Sequence, residues 1–425
     1  MVESWQRELG RLGLTPRTFA PAGGLAGHHR DAERVTFRSL RDVGYAGDHH
    51  ARYSVLAELA RARRVRPQVV VVSTLGRVGA LGLILAAFYS IPLVVVVSTD
   101  TTGATAYYSP VRAVWSGGVK PLLLLMVSRR ARAAFLRCPR QITEPTGRSA
   151  WLVARTTAAL HADAREVVLL SSKGLATYGA LCPDARLTVL PTGIDRLPPA
   201  PVPSELVWRA GALRVLYVGR LAPEKNLPLL LHALRRAVDT GVDAQLALVG
   251  GGPLRERLRA EADRLGVGDR VLVVGPYPRA DLGGVYASAD VFAFPSTVDT
   301  QAYVLNEAAH EGLPLLVSDT ANGVVEDGTS ALVVPPDPER YARALAMLAD
   351  GALRERLGAA ARERAQRLGE ARQCARLADV IGRAAGHPFV GWAPLPVVPP
   401  QVGDASIASP TRSEGAALSA VSPTR

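Results

Sequence analysis

The residues best suited to chemistry lie in two short stretches of the second half. In Val215–Lys225 (VLYVGRLAPEK) an apolar run ends at Gly219, Arg220 follows at once, and Lys225 comes five residues later, just before a helical pattern. A glycine lets the backbone approach a ligand closely, and two fixed cations beside a helix N-terminus make a pocket for a diphosphate. The plain alternative is a surface Arg and Lys at a strand exit. Against it, the chain has three lysines, Lys120, Lys173 and Lys225, among 50 basic residues, so a compact ammonium at Lys225 reads as a chemical requirement. The second stretch, Val291–Ser318, reads VFAFPSTVDTQAYVLNEAAHEGLPLLVS. A turn at Pro295 and Ser296 leads to Asp299, and Glu307 follows eight residues on, two turns into a helix predicted to begin near 300–303. Both carboxylates then face one ligand across the helix start, while the free N–H groups near Thr300, Gln301 and Ala302 point at a phosphate. Carboxylates suit sugar hydroxyls and amides suit a diphosphate. Taken singly, each acid is as well explained as a helix cap.

Parallel strands would have to position these groups. Short Val- and Ile-rich runs alternate with longer Ala/Leu/Arg segments of helical period, the pattern of βα units feeding parallel sheets. Strands are predicted at Pro67–Val72, Pro92–Val97, Val167–Leu170 and Thr188–Leu190 in the first half. In the second they are predicted at Leu213–Val218, Gln245–Val249, Arg270–Val274, Val291–Phe294, Leu315–Val317 and Ala331–Val334. Gly79–Tyr89 is apolar almost all round and reads as a helix buried against the first sheet. The α/β pattern therefore gives two Rossmann-like sheets in tandem, joined by the proline-rich Arg196–Ala210, with the working site in the cleft between them. The expected division is 1–200, then 201–387 with helices crossing back to the first domain, then a Pro/Ser/Ala-rich tail, 388–425, too poor in apolar surface to offset its ordering entropy.

Composition excludes several classes. A chain of 425 residues holds two or three domains, which rules out peptide hormones and disulfide miniproteins. No apolar run is long and uninterrupted enough for a polytopic membrane protein. Cys138, Cys182 and Cys374 are odd in number and lack a metal-ligand rhythm, consistent with a reducing compartment and no zinc site. The opening MVESWQRELGRLG carries both charge signs and does not resemble a signal peptide, so a cytoplasmic protein is expected. The net charge of +12 is uneven: residues 1–200 hold 26 Lys and Arg against 13 Asp and Glu, and residues 201–425 hold 24 against 25. The first half thus suits an anionic partner, a phosphorylated acceptor or acidic lipid head groups; the alternative is a high-arginine composition with solvated faces. Residues 119–140 combine an apolar run with Arg129, Arg130, Arg132, Arg137 and Arg140. They read as a core helix followed by a solvated basic helix, with peripheral docking on an anionic membrane surface as the alternative.

Over roughly residues 166–365 the chain resembles the donor domain of GT-B glycosyltransferases, specifically the retaining family 4, the glycosyl transferases group 1. The motifs that carry the likeness occur in the family's order: VLLSSK, VLPTGID, VGRLAPEK, LVGGGPLRERL, YASADVFAFPS, DTQAYVLNEAAHEGLPLLVS and EDGTSALVVPPDP. The resemblance implies a GT-B architecture of two Rossmann-like domains facing each other across a cleft. It implies that Arg220 and Lys225 neutralise the donor diphosphate and the developing leaving-group charge. Asp299 and Glu307 look like the family's E-x7-E pair, the first acid on hydroxyls of the transferred sugar and the second on the ribose. Gln301, Ala302 and Tyr303, with Thr300, would bring amides to the phosphates. Gly219, Gly250, Gly251 and Gly252 would shape the nucleotide side, and Val274, Gly275 and Pro276 lie where the base is usually held. The implied reaction moves a hexose, mannose or glucose first, from a UDP- or GDP-sugar to a hydroxyl of a lipid-linked or phosphorylated acceptor, with retention. With Arg and Lys supplying positive charge, no metal and no other cofactor is expected.

Three positions depart from the family pattern. Asp299 stands where Glu is commoner, and Ala302 where Gly is usual. After the strand ending VVVVSTD the family often carries His-Thr; here Ser98 takes the His position, followed by Thr99 and Asp100, the expected acceptor-side residues. The family also opens with a strand and a glycine loop, whereas this chain opens on the segment resembling the helix after them. Either the start is placed too far downstream or the chain is a degenerate copy, so the alternative reading is a noncatalytic or degenerate nucleotide-sugar-binding GT-B protein. A GT-B epimerase is a further rival. Nucleic acid is not an expected partner, since charge alone would motivate it.

Overall fold

The computed structural model describes residues 2–16, 18–21, 34–37, 39–41, 49–51, 60, 63–73, 77–98, 128–137, 155–320 and 322–386. Of the sequence readings, Thr99, Asp100, Lys120, Cys138, Arg140, the apolar run 119–127 and the tail from 388 lie outside them.

Near the start, β1 (Thr18–Pro21) pairs in parallel with β2 (Arg34–Phe37), and β3 (Ser39–Arg41) pairs antiparallel with β4 (His49–Ala51). A parallel four-stranded sheet follows, made of β5 (Val70–Val72), β6 (Leu93–Val97), β7 (Ala164–Leu169) and β8 (Arg186–Val189) in that order. The second sheet is parallel and six-stranded, with β9 (Leu213–Val218), β10 (Ala244–Val249), β11 (Val271–Val274), β12 (Val291–Phe294), β13 (Leu315–Val317) and β14 (Ala331–Val333) in the order β11-β10-β9-β12-β13-β14. Continuous apolar strands form such sheets because both faces are covered: every residue of β6, β10 and β12 is buried. The ten strands of these two sheets fall where the sequence predicts, within a few residues at their ends, while β1 to β4 carry no predicted counterpart; β5 starts at Val70 rather than Pro67, since a proline cannot donate to the ladder.

Eleven labelled helices surround the sheets: α1 (Val2–Arg11), α2 (Arg77–Tyr89), α3 (Arg129–Arg137), α4 (Leu175–Leu181), α5 (Pro228–Asp239), α6 (Arg255–Arg264), α7 (Leu282–Ala287), α8 (Tyr303–His310), α9 (Pro338–Met347), α10 (Gly351–Arg367) and α11 (Glu370–Ala385). Helix α2 is buried along most of its length through Leu81, Leu83, Ile84 and Leu85. Helix α3 buries Ala131 while Arg129, Arg130, Arg132 and Arg137 are exposed, as a solvated basic helix does. Among the described residues no helix is long and apolar enough to cross a membrane.

The chain passes between the two sheets twice, side by side. Thr192–Asp195 leads out of the first sheet, and Leu368–Glu370 leads back. Ile194 N donates to Leu368 O (3.3 Å), and Asp195 Oδ1 accepts from Glu370 N (2.9 Å). The crossings lie so close that a Cβ at Gly193 would stand 2.5 Å from the Glu370 Cα. Helix α11 then lays Leu377, Val380 and Ile381 over Val94, Val96, Val168 and Leu190 of the first half, beside Leu9 of α1. Arg383 fixes its far end on the buried Glu166, 3.0 Å away.

In the six-stranded sheet the order reverses between β9 and β12: β10 and β11 extend to one side of β9, and β12 to β14 to the other. A crevice opens at the carboxyl ends of strands at such a point. Both chemistry-bearing stretches leave β9 and β12 there.

Candidate active site

Arg220 and Lys225 follow β9. Lys225 closes a short 3₁₀ turn, Pro223–Lys225, whose proline presets the first turn. Lys225 Nζ donates to Asp299 Oδ1 at 2.6 Å and lies 5.7 Å from the centre of the Phe294 ring. Arg220 extends toward solvent and is held by the buried Glu224, one helical turn on, at 2.5 Å. Glu224 also accepts Ser296 Oγ on its backbone carbonyl (3.1 Å), so the β9 and β12 exits are tied together. Beneath them, Tyr217 OH donates to Arg220 O (2.9 Å). Burial pushes the Tyr217 phenol up, and the Asp299 and Glu224 carboxylates add to it, so it stays a neutral donor in the floor of the crevice.

Asp299 Oδ1 is satisfied by Lys225, but Oδ2 is buried and has no hydrogen-bond partner. An unmatched buried carboxylate oxygen is costly, and a ligand hydroxyl would satisfy it. It lines a pocket with Ser296, Thr300, Gln301, Asp319 and Asn322. Glu307 sits one turn into α8, which starts at Tyr303, a shallower place than the two turns predicted. Its side chain is 5% exposed, accepting Tyr286 OH at 2.9 Å on Oε2 and pairing with Arg279 at 3.2 Å on Oε1. Burial, followed by Glu307, drives the Tyr286 phenol well above its ordinary range. Arg279 is largely exposed, so it caps the acid from the solvent side. Of the two cations and two acids, Lys225 and Asp299 are in direct contact, Arg220 leaves the same strand exit as Lys225, and Glu307 lies on the helix that follows Asp299.

The glycine residues are explained chiefly by backbone packing. Gly250 and Gly252 have φ of +150° and +155°, where a side chain is strained, and a Cβ on either would stand 1.9 Å from Gly219 O or 2.3 Å from Leu221 O. Their absent side chains let the loops after β9 and β10 lie against each other, with Leu221 N donating to Gly251 O at 2.9 Å. Arg255 braces the neighbouring loop ends, donating to Gly275 O (2.5 Å) and Val273 O (3.1 Å), and so shapes the Val274–Pro276 turn. Pro276 in turn lies 3.5 Å from the Cβ position of Gly251.

Thr300, Gln301 and Tyr303 use their side chains to reach the first half. Thr300 Oγ1 donates to Ser98 O (2.9 Å), and Gln301 clamps Thr192 by accepting from its N–H (2.8 Å) and donating to its carbonyl (3.0 Å). Tyr303 OH approaches Thr192 Oγ1 at 3.4 Å, and Ala302 is the N-cap of α8. Ser98 gives its hydroxyl to Ser73 O (2.8 Å). His310 is buried and bonded to Ile194 O at 2.7 Å. Spacing does not mark Glu224, Tyr286, Arg279, Arg255 or Thr192 as site residues. All but Arg279 do fall inside quoted motifs: Glu224 in VGRLAPEK, Arg255 in LVGGGPLRERL, Tyr286 in YASADVFAFPS and Thr192 in VLPTGID.

Two Rossmann-like sheets with a polar crevice at the strand ends define the GT-B class. Along 90% of its length the chain superimposes on 92% of the sucrose-phosphate synthase from Thermosynechococcus elongatus, with a TM-score of 0.65 at 19% identity. The model of the family described as glycosyl transferases group 1 matches residues 203–364. A D-inositol 3-phosphate glycosyltransferase of Xylanimonas cellulosilytica is 34% identical over 220 residues, 47% of this chain and 52% of that protein. A GDP-mannose-dependent alpha-(1-6)-phosphatidylinositol monomannoside mannosyltransferase of Mycobacterium tuberculosis is 33% identical over 275 residues, 60% of this chain and 71% of that protein. The chain belongs to the glycosyl transferases group 1 family, and its match spans about half the length of the first of these curated relatives.

Proposed function

We propose that the chain is a retaining hexosyltransferase that moves mannose or glucose from a UDP- or GDP-sugar to a hydroxyl of a lipid-linked or phosphorylated acceptor. The observation that carries this reading is the buried, unpartnered Asp299 Oδ2 beside Lys225, with Arg220 at the same strand exit and Glu307 one turn into the helix that follows. In this reading the sugar's hydroxyls donate to Asp299, the ribose replaces Arg279 on Glu307, and the diphosphate lies between Lys225, Arg220 and the start of α8. The bond from the anomeric carbon to the diphosphate oxygen breaks while the acceptor oxygen bonds on the same face. The departing diphosphate takes the acceptor's proton, so no protein base is required. Lys225 and Arg220 stabilise the charge that develops on the leaving oxygen, and positioning supplies the rest. With those cations in place the reading calls for no metal.

The names of the two relatives, one acting on inositol 3-phosphate and one on a phosphatidylinositol mannoside with GDP-mannose, support a phosphorylated or lipid-linked acceptor and favour mannose. The basic first half supports the same choice. A cytoplasmic location, with contact at the inner membrane surface for a lipid acceptor, is part of the proposal. Calorimetric titration with UDP-glucose and GDP-mannose, followed by transfer assays on phosphoinositol acceptors, tests it. Lys225→Ala and Glu307→Ala should both abolish most donor use while keeping the wild-type circular dichroism; wild-type rates in both variants overturn the assignment. One observation favours a second reading, a noncatalytic nucleotide-sugar binder: the Ser98 hydroxyl is committed to Ser73 O at the acceptor side. Donor binding without transfer or donor hydrolysis would select it.

A further inference from the structure

Lys173 lies outside the quartet just described and in the other half of the chain, at the carboxyl end of β7. Its ammonium spans the cleft: Nζ donates to the backbone carbonyl of Thr297 and, at 2.6 Å, to Asp319 Oδ2. Both partners belong to the second half. Thr297 is two residues before Asp299, and Asp319 two residues past the end of β13. The side chains of Lys173 and Asp319 are 28% and 26% exposed, sheltered enough for the pair to be screened less than a surface one. Lys173 lines a pocket with Ser171, Thr177, Tyr178 and Thr300, while Asp319 lines the Asp299 pocket, which also includes Thr300. The ion pair therefore stands where the two pockets adjoin.

The segment it grips is the one that carries Asp299. From its own half, Lys225 holds the Asp299 carboxylate. From the other half come Lys173 on Thr297 O, Ser98 O under the Thr300 hydroxyl, and Thr192 against the Gln301 amide. Lys173 makes the charged tie among them, and a compact ammonium with three donors on a flexible stem can serve a carbonyl and a carboxylate together. Two of the chain's three lysines thus close on one short loop from opposite sides of the cleft.

We propose that Lys173 is a positioning residue: its bridge to Thr297 and Asp319 sets the Asp299 loop when the two halves are docked, so the sugar-binding carboxylate is in register only in the closed molecule. The inference rests on the reading of the crevice as a donor site. Its test uses the full chain, wild type, Lys173→Met, Lys173→Arg and Asp319→Asn, with two readouts. Amide hydrogen exchange without ligand should rise across residues 296–302 in Lys173→Met and Asp319→Asn, and Lys173→Arg should recover part of the protection. Calorimetry should show Lys173→Met losing on the order of tenfold in affinity for UDP-glucose or GDP-mannose, with UDP and GDP held to within about threefold, because misplacing one sugar contact leaves the nucleotide contacts intact. Unchanged exchange overturns the proposal, as does equal weakening of sugar nucleotide and plain nucleotide. If wild-type protein binds none of the four nucleotides, the donor-site reading fails, and the exchange experiment still decides whether Lys173 sets the loop.

Discussion

The two halves of the cleft are built differently. On the second half the strand exits are braced by main chain: the loops after β9 and β10 touch backbone to backbone at Gly250 and Gly252, Arg255 holds the next turn by its carbonyls, and Glu224 joins β9 to β12. On the first half the exits of β6 and β7 reach across to the other side: Ser98 O accepts from the Thr300 hydroxyl, and Lys173 donates to Thr297 O and to Asp319. The strand exits of one half are therefore braced within that half. The other supplies ties that exist only when the halves meet. Bracing of the strand exits and setting of the Asp299 loop are consequently separable by mutation.

The sharpest way to break this contrast is at Lys225. Lys225→Ala leaves Asp299 without its partner and, under the proposed function, removes the cation assigned to the developing charge; the expected loss in turnover is about 10²- to 10³-fold, measured as donor consumption at saturating acceptor. Next comes the bracing itself. Gly252→Ala forces a side chain into backbone at a φ of +155°, and should destabilise the second half by about 3 kcal/mol, read from the midpoint of urea unfolding.

A comparable effect is expected in the first half from His161. Its ring is buried against Tyr178 with neither nitrogen hydrogen-bonded, and burial lowers its pKa to about 4. The folded state resists a proton that the unfolded chain takes up near its ordinary value of about 6.5. The stability present above that value is therefore lost as pH falls toward 4, by up to about 3 kcal/mol. His161→Leu should flatten that slope in unfolding experiments between those pH values; an unchanged slope would assign it to other groups. The smallest effect is expected at Thr300→Val, which deletes one neutral tie between the halves and should cost about 1 kcal/mol of docking, seen as a few-fold rise in donor KM.

Much of this was legible in the residues. β-branched runs fixed the strands, because a strand buried on both faces needs an unbroken apolar text, and β9, β12 and β13 match their predicted bounds. Asp299 and Lys225 were singled out by type and position, though their contact spans 74 residues and follows from strand order, which spacing does not encode. The same blindness hid Lys173–Asp319, 146 residues apart, and the clamp of Gln301 on Thr192. The glycine cluster was read for its ligand, while its nearest neighbour is another loop's backbone; a sequence records that a side chain is missing but not what occupies the space. Arg279 carried no signal, since an exposed arginine beside a buried acid is visible only after folding.

The paired passages at Thr192–Asp195 and Leu368–Glu370 have a mechanical consequence. A body hung from one thread can twist and tilt freely, but two adjacent hinge pins allow it to swing about the line that joins them and little else. Opening of this molecule should thus follow a single arc, with the return passage acting as a stop on the outgoing one. Lengthening either strap by a few glycines would turn the door into a pendulum.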